Sequence, residues 1–312
     1  MFANLRRAAL AATCLVPLAL AGACSSTSSA GTGSTVAAGG FPVTLHASNG
    51  VVQVPKRPTA VISLSPTATE MLYAMGAGHQ VKAVDNDSNY PPGVPMTQLS
   101  GVTPNVEAIL AYQPDLVVTA QDTTGLTGHL AAAGVPVLAL PAASTLDDAY
   151  AQIRMLGAAT GNVGGAQAEV SSMQAKIHQV LAGTHVPAHT TYYYELDPTY
   201  YSATSSTFIG QVLGLLGLHD IADAAGGAGS QYPQLSGESI IAADPSYIFL
   251  ADTKCCGATP QTVAARPGWD TIAAVRLGHV VNLDDDVASR WGPRIAELLA
   301  QVAAAVNGSS TG

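Results

Sequence analysis

Charge is scarce in this chain. Asp, Glu, Lys and Arg make up 11% of 312 residues, with 12 basic against 21 acidic. The basic residues form no stripe and aromatics reach only 5%, which excludes a nucleic-acid surface and argues against highly phosphorylated ligands. The four cysteines include one adjacent pair, Cys255-Cys256, and no second pair that would complete a structural zinc site. The eight histidines are scattered and none follows the first buried strand, so no metal-ion site is expected. Neither Gly-x-Ser-x-Gly nor His-Glu-x-x-His occurs. Ser65 does sit on a strand-to-helix turn, but Pro66 follows it and removes an N–H that an oxyanion hole would use. An exported hydrolase is thus the weak enzyme-class alternative, and no enzyme is expected. The apolar run at the N-terminus, Ala8–Leu20, is too short for a stable membrane span.

What is present begins with an export signal. Arg6 and Arg7 precede the apolar run, and Ala21-Gly22-Ala23 supplies small residues before Cys24. Residues 1–23 read as a signal peptide. The small residues ending at Cys24, with serines and a threonine after them, resemble a bacterial lipobox in which Cys24 becomes acylated. Ala21 stands where such motifs usually carry Leu, and plain secretion is the alternative. The uncharged Ser/Thr/Gly/Ala tract over 24–40 reads as a flexible, lipid-anchored tether. Setting Arg6 and Arg7 aside leaves ten basic residues against 21 acidic, a net charge of −11. An exported compartment permits disulfides. Cys255 and Cys256 therefore read either as a vicinal disulfide or as two free thiols in a loop.

The remaining stretch, about 270 residues, is large enough for two lobes with substantial cores. It is organised by a segment written twice, once from Gly101 to Val118 and again from Tyr232 to Leu250. Each copy has a polar lead-in, a Glu (Glu107, Glu238), a short apolar helix, a Pro seven residues on (Pro114, Pro245) and an apolar strand. A strand, polar loop, apolar helix and closing Gly also recur, in Ala60–Gly76 and Thr191–Gly217. Between the copies, Ala166, Val170, Met173, Ile177, Val180 and Leu181 keep helical spacing across Val163–Ala182. That span predicts about 30 Å of helix. Alternating strands and helices indicate parallel sheets. The expected fold is α/β: two Rossmann-like parallel-sheet lobes (41–160 and 186–308) bridged by one long α-helix (161–185), with a ligand cleft between the lobes. Ligand sites in such sheets lie beyond the carboxyl ends of the strands. Those ends carry Ser65-Pro66, Asp85–Tyr90, Gln121–Thr124, Tyr200-Tyr201 and Asp252–Cys256. The breaker-rich Asp85–Gly93 segment is expected to be irregular.

Several motifs together resemble one family. They are Val61-Ile-Ser-Leu-Ser-Pro-Thr-Ala-Thr-Glu70, the Asn89-Tyr-Pro-Pro loop, both Glu-to-Pro copies, Arg266-Pro-Gly-Trp269 and Ser289-Arg-Trp-Gly-Pro-Arg294. This set resembles the solute-binding proteins of ABC importers for cobalamin, siderophores and haem, across Phe41–Val306. The Ser-Leu-Ser-Pro and Tyr-Pro-Pro segments are most similar to the cobalamin-binding members. The resemblance implies capture of a small-molecule ligand, cobalamin or another metal-chelate macrocycle, and its delivery to an ABC permease with its ATPase. It implies no cofactor and no chemistry on the chain itself. The expected setting is the extracytoplasmic face of the cell membrane, reached through the lipid anchor only, with the protein a monomer.

The resemblance also implies roles by position. Ser65, Pro66 and Thr67 match the first ligand loop, Tyr90 matches a cleft tyrosine, and Arg290 matches a cleft arginine. Tyr232 falls where the second lobe carries an aromatic, and Tyr200 or Tyr201 where the family supplies another. Glu107 and Glu238 match the two glutamates that dock on permease arginines; two solvated surface acids are the plainer alternative. One position departs from the pattern. Six residues before Glu107 the cobalamin proteins carry a large aromatic, and here stands Gly101, which leaves Trp291 as a candidate wall. A ferric siderophore or haem is the alternative ligand. Haem wants an axial side chain such as Tyr90, Tyr200 or Tyr201. An anionic iron chelate wants several cleft cations, and Arg290 is the main candidate.

Overall fold

The buried strands send successive side chains to opposite faces, and both faces are apolar because helices cover each. The computed structural model describes residues 40–225 and 230–309. A hairpin of β1 (Val43–Ala47) and β2 (Gly50–Val54) opens it. The first lobe follows as β3 (Val61–Leu64), α1 (Pro66–Ala74), β4 (Val81–Asp85), β5 (Met96–Leu99), α2 (Val106–Leu110), β6 (Leu116–Thr119), α3 (Leu126–Ala132), β7 (Val137–Ala139) and α4 (Leu146–Thr160). Its sheet has the order β5-β4-β3-β6-β7 with every pair parallel. The hairpin turn covers the outer edge of β7: Ser48 Oγ donates to the Ala139 carbonyl at 2.9 Å and Asn49 Nδ2 to that of Val137 at 2.9 Å.

The long helix α5 (Val163–Ala182) then leads into the second lobe. That lobe contains β8 (Thr191–Glu195), α6 (Phe208–Gly214), β9 (His219–Asp220), α7 (Gly237–Ala243), β10 (Tyr247–Leu250), α8 (Thr253–Cys256), α9 (Pro260–Ala264), α10 (Ala273–Arg276), β11 (Val280–Asn282), α11 (Asp285–Ala288) and α12 (Ile295–Ser309). Its parallel sheet runs β9-β8-β10-β11. This is the order of the first sheet without its outermost strand β5. The fold class expected from the sequence, a mixed α/β chain with two parallel-sheet lobes, is the one found.

One apolar core joins the lobes. Leu116 and Val118 from one sheet and Tyr192, Tyr194 and Phe249 from the other share a cluster with α4, α5 and α12. The alternate residues turn outward, Val117 towards Ile109 and Leu130, and Tyr193, Ile248 and Leu250 towards Trp269. Burying each such aliphatic side chain contributes about 1.5–3 kcal/mol. Gly165 lets α5 approach closely, since a Cβ there would collide with the Met75 carbonyl.

The repeat is visible in backbone detail. Asn105 caps α2 and Ser236 caps α7, each accepting from an N–H three residues on. Ile109 and Ile240 are both fully buried beneath their helices. Gln113 (φ 51°) and Asp244 (φ 43°) both adopt the left-handed conformation just before the Pro. Two strands were not legible. β5 exposes Met96 and Gln98, half-buries Thr97 and buries only Leu99, and β9 has two residues. The signal segment 1–23, Cys24 and the tract to residue 39 lie outside the described residues. No described helix is long and apolar enough to cross a membrane.

Candidate functional site

The first strand-end loop is closed on itself. Ser65 caps α1 through Oγ, which accepts from the Ala68 N–H at 3.3 Å, and Pro66 occupies the first turn, where its missing N–H costs nothing. Ser65 and Thr67 are buried and Pro66 is half-buried. Beneath them Ser63, Thr69 and Ser88 form a buried hydroxyl chain with links of 2.9 Å. Asp85, at the end of β4, is buried beside it, and burial pushes its carboxyl pKa up. Gly101 lies against this cluster. A Cβ there would collide with the Leu64 carbonyl and stand 2.8 Å from Asp85 Oδ2. An aromatic side chain therefore has no room at Gly101 with the loop in this position.

The two lobes meet through a buried ion-pair network. Arg290 donates to Glu70 Oε1 at 2.8 Å, Asn89 Oδ1 at 3.0 Å, the Asp87 carbonyl at 3.0 Å and Asp286 Oδ1 at 2.9 Å. Arg294 donates to both oxygens of Glu70. The side chains of Glu70 and Arg290 are 2% and 8% exposed, so these charges are stabilised by each other rather than by water. Asn89 also donates to Asp286 at 3.0 Å, and Trp291 Nε1 donates to Gln152 Oε1 at 2.8 Å. Arg290 and Trp291 thus hold the lobes together, and both terminal nitrogens of Arg290 are engaged by protein groups. Tyr90 lies under the Arg294 guanidinium, 4.1 Å from its ring centroid. It lines a cavity of about 330 Å³ with Tyr73, Lys176 and Arg294.

The second lobe presents its tyrosines differently. Residues 200–204 run antiparallel to 231–235, with Ser202 N–H to the Pro233 carbonyl at 3.0 Å and Thr204 N–H to that of Gln231 at 2.9 Å. Tyr201 pairs with Gln234, which places Tyr201 and Tyr232 on one face of this ribbon. They are 39% and 53% exposed, large aromatic areas left open to contact. Tyr200, one residue out of phase, turns the other way and stacks on Trp269 at 5.6 Å, with the Arg266 guanidinium over both rings.

Behind the ribbon lies a polar cluster that sequence reasoning missed. Arg266 forks onto both oxygens of the fully buried Glu195. Asp252 is fully buried next to this pair, and neither of its oxygens has a hydrogen-bond partner among the described residues. Burial first, then the charge of Glu195, pushes its pKa up to about 7. The signal was the Arg266-Pro-Gly-Trp269 motif in a chain so poor in arginine, but its partner lies 71 residues away. Glu70 and Asn89 sat inside recognised motifs without an assigned role. Cys255 and Cys256 form a disulfide on the exposed turn after β10.

Glu107 and Glu238 occupy equivalent first-turn positions of α2 and α7, both exposed, where the helix N-terminus favours a carboxylate. Neither joins an ion pair among the described residues.

Two parallel-sheet lobes with facing strand-end loops and one shared core define a two-lobe ligand-binding protein, and the chain belongs to the periplasmic binding protein family, whose model matches residues 61–287. It is similar to the uncharacterized ABC transporter substrate-binding lipoprotein YvrC of Bacillus subtilis, 30% identical over 277 residues, covering 85% of this chain and 86% of that one. It is 31% identical over 283 residues to a cobalamin-binding protein of Halobacterium salinarum, covering 86% of this chain and 75% of that one. Among solved structures it is similar to a possible iron-binding, periplasmic solute-binding protein of Staphylococcus epidermidis. That likeness has a TM-score of 0.70 and 25% identity, covering 80% of this chain and 99% of that one.

Proposed function

We propose that this chain is a lipid-anchored extracytoplasmic binding protein that captures cobalamin or a related corrinoid and delivers it to an ABC permease driven by its ATPase. The observation that carries the reading is the likeness to a cobalamin-binding relative along both lobes. The paired exposed rings of Tyr201 and Tyr232 support it, because a flat, largely apolar macrocycle is held best by aromatic area with hydrogen-bonding tips. In this reading residues 1–23 are removed, Cys24 carries the lipid, 24–40 is the tether, and the lobes 41–160 and 186–308 swing little about 161–185. Ser65, Pro66, Thr67 and Tyr90 frame the cleft, and Tyr200 backs the aromatic ribbon through its stack on Trp269. Glu107 and Glu238 dock on the permease. The protein catalyses nothing.

A second reading, a ferric-siderophore or haem carrier, is favoured by the likeness to the iron-binding structure and by the exposed phenols. Calorimetric titration with cyanocobalamin, haemin and a ferric siderophore separates the two. Saturable heat with cyanocobalamin is the expected result. Silence with cyanocobalamin alongside binding of an iron complex establishes the second reading instead.

A further inference from the structure

The disulfide between Cys255 and Cys256 has no evident work in stabilising the whole fold. A cross-link stabilises by restricting the unfolded chain, and the effect grows with the loop it closes. Here the bond joins neighbours, so the enclosed loop is the smallest the chain allows. What the bond fixes is the shape of its own peptide, in the four-residue helix α8. Both cysteines are exposed, within reach of a soluble thiol.

That helix is tied to the loop that holds the lobes together. The carboxylate of Asp285 accepts from the backbone N–H of Thr253 at 2.9 Å, Lys254 at 2.8 Å and Cys255 at 2.9 Å. Lys254 Nζ donates to Asp284 and Asp286, each at 2.8 Å. Asp286 in turn receives Asn89 from the opposite lobe and Arg290, which bonds Glu70 there. The link from the disulfide to the first lobe thus runs along the backbone from Cys255 to Lys254, then through Lys254 Nζ to Asp286 and on to Asn89, while Asp285 holds the α8 backbone to the neighbouring residue.

We propose that Cys255–Cys256 is a redox-modification site, reducible by a dithiol, whose state sets how firmly Asp284–Asp286, at the start of α11, grip the first lobe. In the step, a dithiol attacks the protein disulfide through a mixed disulfide and closes to its own disulfide. Two electrons and two protons pass to the cysteines, which leave as two thiols. The released peptide relaxes, the three N–H groups lose their common aim at Asp285, and the grip on Asn89 and Arg290 loosens. The proposal holds whatever ligand the cleft takes.

Hydrogen exchange of the full chain, read by mass spectrometry before and after dithiothreitol, tests it. On reduction, peptides covering 253–256 and 284–290 are expected to exchange about tenfold faster, together with the peptide containing Asn89. The Cys255→Ser/Cys256→Ser variant should exchange like the reduced protein and ignore the reagent. Cys255→Ala serves the same comparison if the double variant does not fold. Equal exchange at 284–290 in the oxidised and reduced protein overturns the proposal. So does an equal response to dithiothreitol in the variant, or two free thiols at these positions in protein purified without reductant.

Discussion

The two copies of the Glu-to-Pro segment share their caps, their buried Ile and their left-handed residue before Pro, but their lead-ins differ. In the first lobe the lead-in begins at Gly101, whose backbone lies on the Leu64 carbonyl and Asp85. In the second it begins with Tyr232, held out on an antiparallel ribbon and 53% exposed. The surroundings follow the same division. Around Gly101 the strand ends are filled by hydroxyls and by Glu70, which anchors Arg290 and Arg294. Around Tyr232 the surface is aromatic, and the charged groups are set behind it as Glu195, Arg266 and Asp252. The same unit has been adapted to two tasks: the first lobe's strand ends make the lobe contact, and the second lobe's make an open aromatic wall.

The largest effect should come from breaking the lobe contact. Glu70→Ala leaves the buried Arg290 and the half-buried Arg294 without their shared carboxylate, and should cost about 3–5 kcal/mol. Urea unfolding measures this, and a loss near zero would mean that the contact contributes little to stability. Next comes the contrast between the lead-ins. Gly101→Ala pushes a Cβ into backbone and should cost about 1–3 kcal/mol. The exposed Tyr232→Ala should stay within about 0.5 kcal/mol in thermal unfolding. Comparable losses at both positions would remove the distinction.

The polar cluster behind the wall makes a prediction in pH. The pKa of Asp252 is raised to about 7 in the folded protein. Between its ordinary value and 7 the folded state therefore binds more protons than the unfolded state. The stability associated with this proton is fully present below about pH 4 and is lost as pH rises to and through 7. Asp252→Asn should accordingly unfold at a higher temperature than the parent at pH 8, with the gap closing towards pH 4. A gap that does not change with pH would show that the carboxylate titrates normally. The smallest effect on the fold is expected at Glu107 and Glu238, the proposed docking acids. Glu107→Ala/Glu238→Ala should change stability by no more than about 0.5 kcal/mol and leave ligand binding intact while ABC-dependent uptake falls. Normal uptake by that variant would return both residues to plain surface acids.

What could be read from sequence was local or periodic. Ser65-Pro66 marked a strand-to-helix turn, and the regular apolar spacing of α5 marked one long helix. β5 escaped because an edge strand that buries only Leu99 lacks an apolar pattern. The ion-pair network escaped for another reason. Glu70 and Arg290 are 220 residues apart, and neither carries a local sign that its charge is met by the other. Gly101 was visible as a departure from the pattern, but its cause is a contact with the Leu64 carbonyl that only the packed chain reveals.

We propose that the second lobe's aromatic wall, and not the Gly101 lead-in, holds the ligand. Cyanocobalamin titrated calorimetrically into the parent protein and into Tyr232→Ala tests it most directly. Loss of a stacked aromatic contact worth about 1.5 kcal/mol should weaken binding at least tenfold in the variant. Equal affinity in the two proteins would contradict the account.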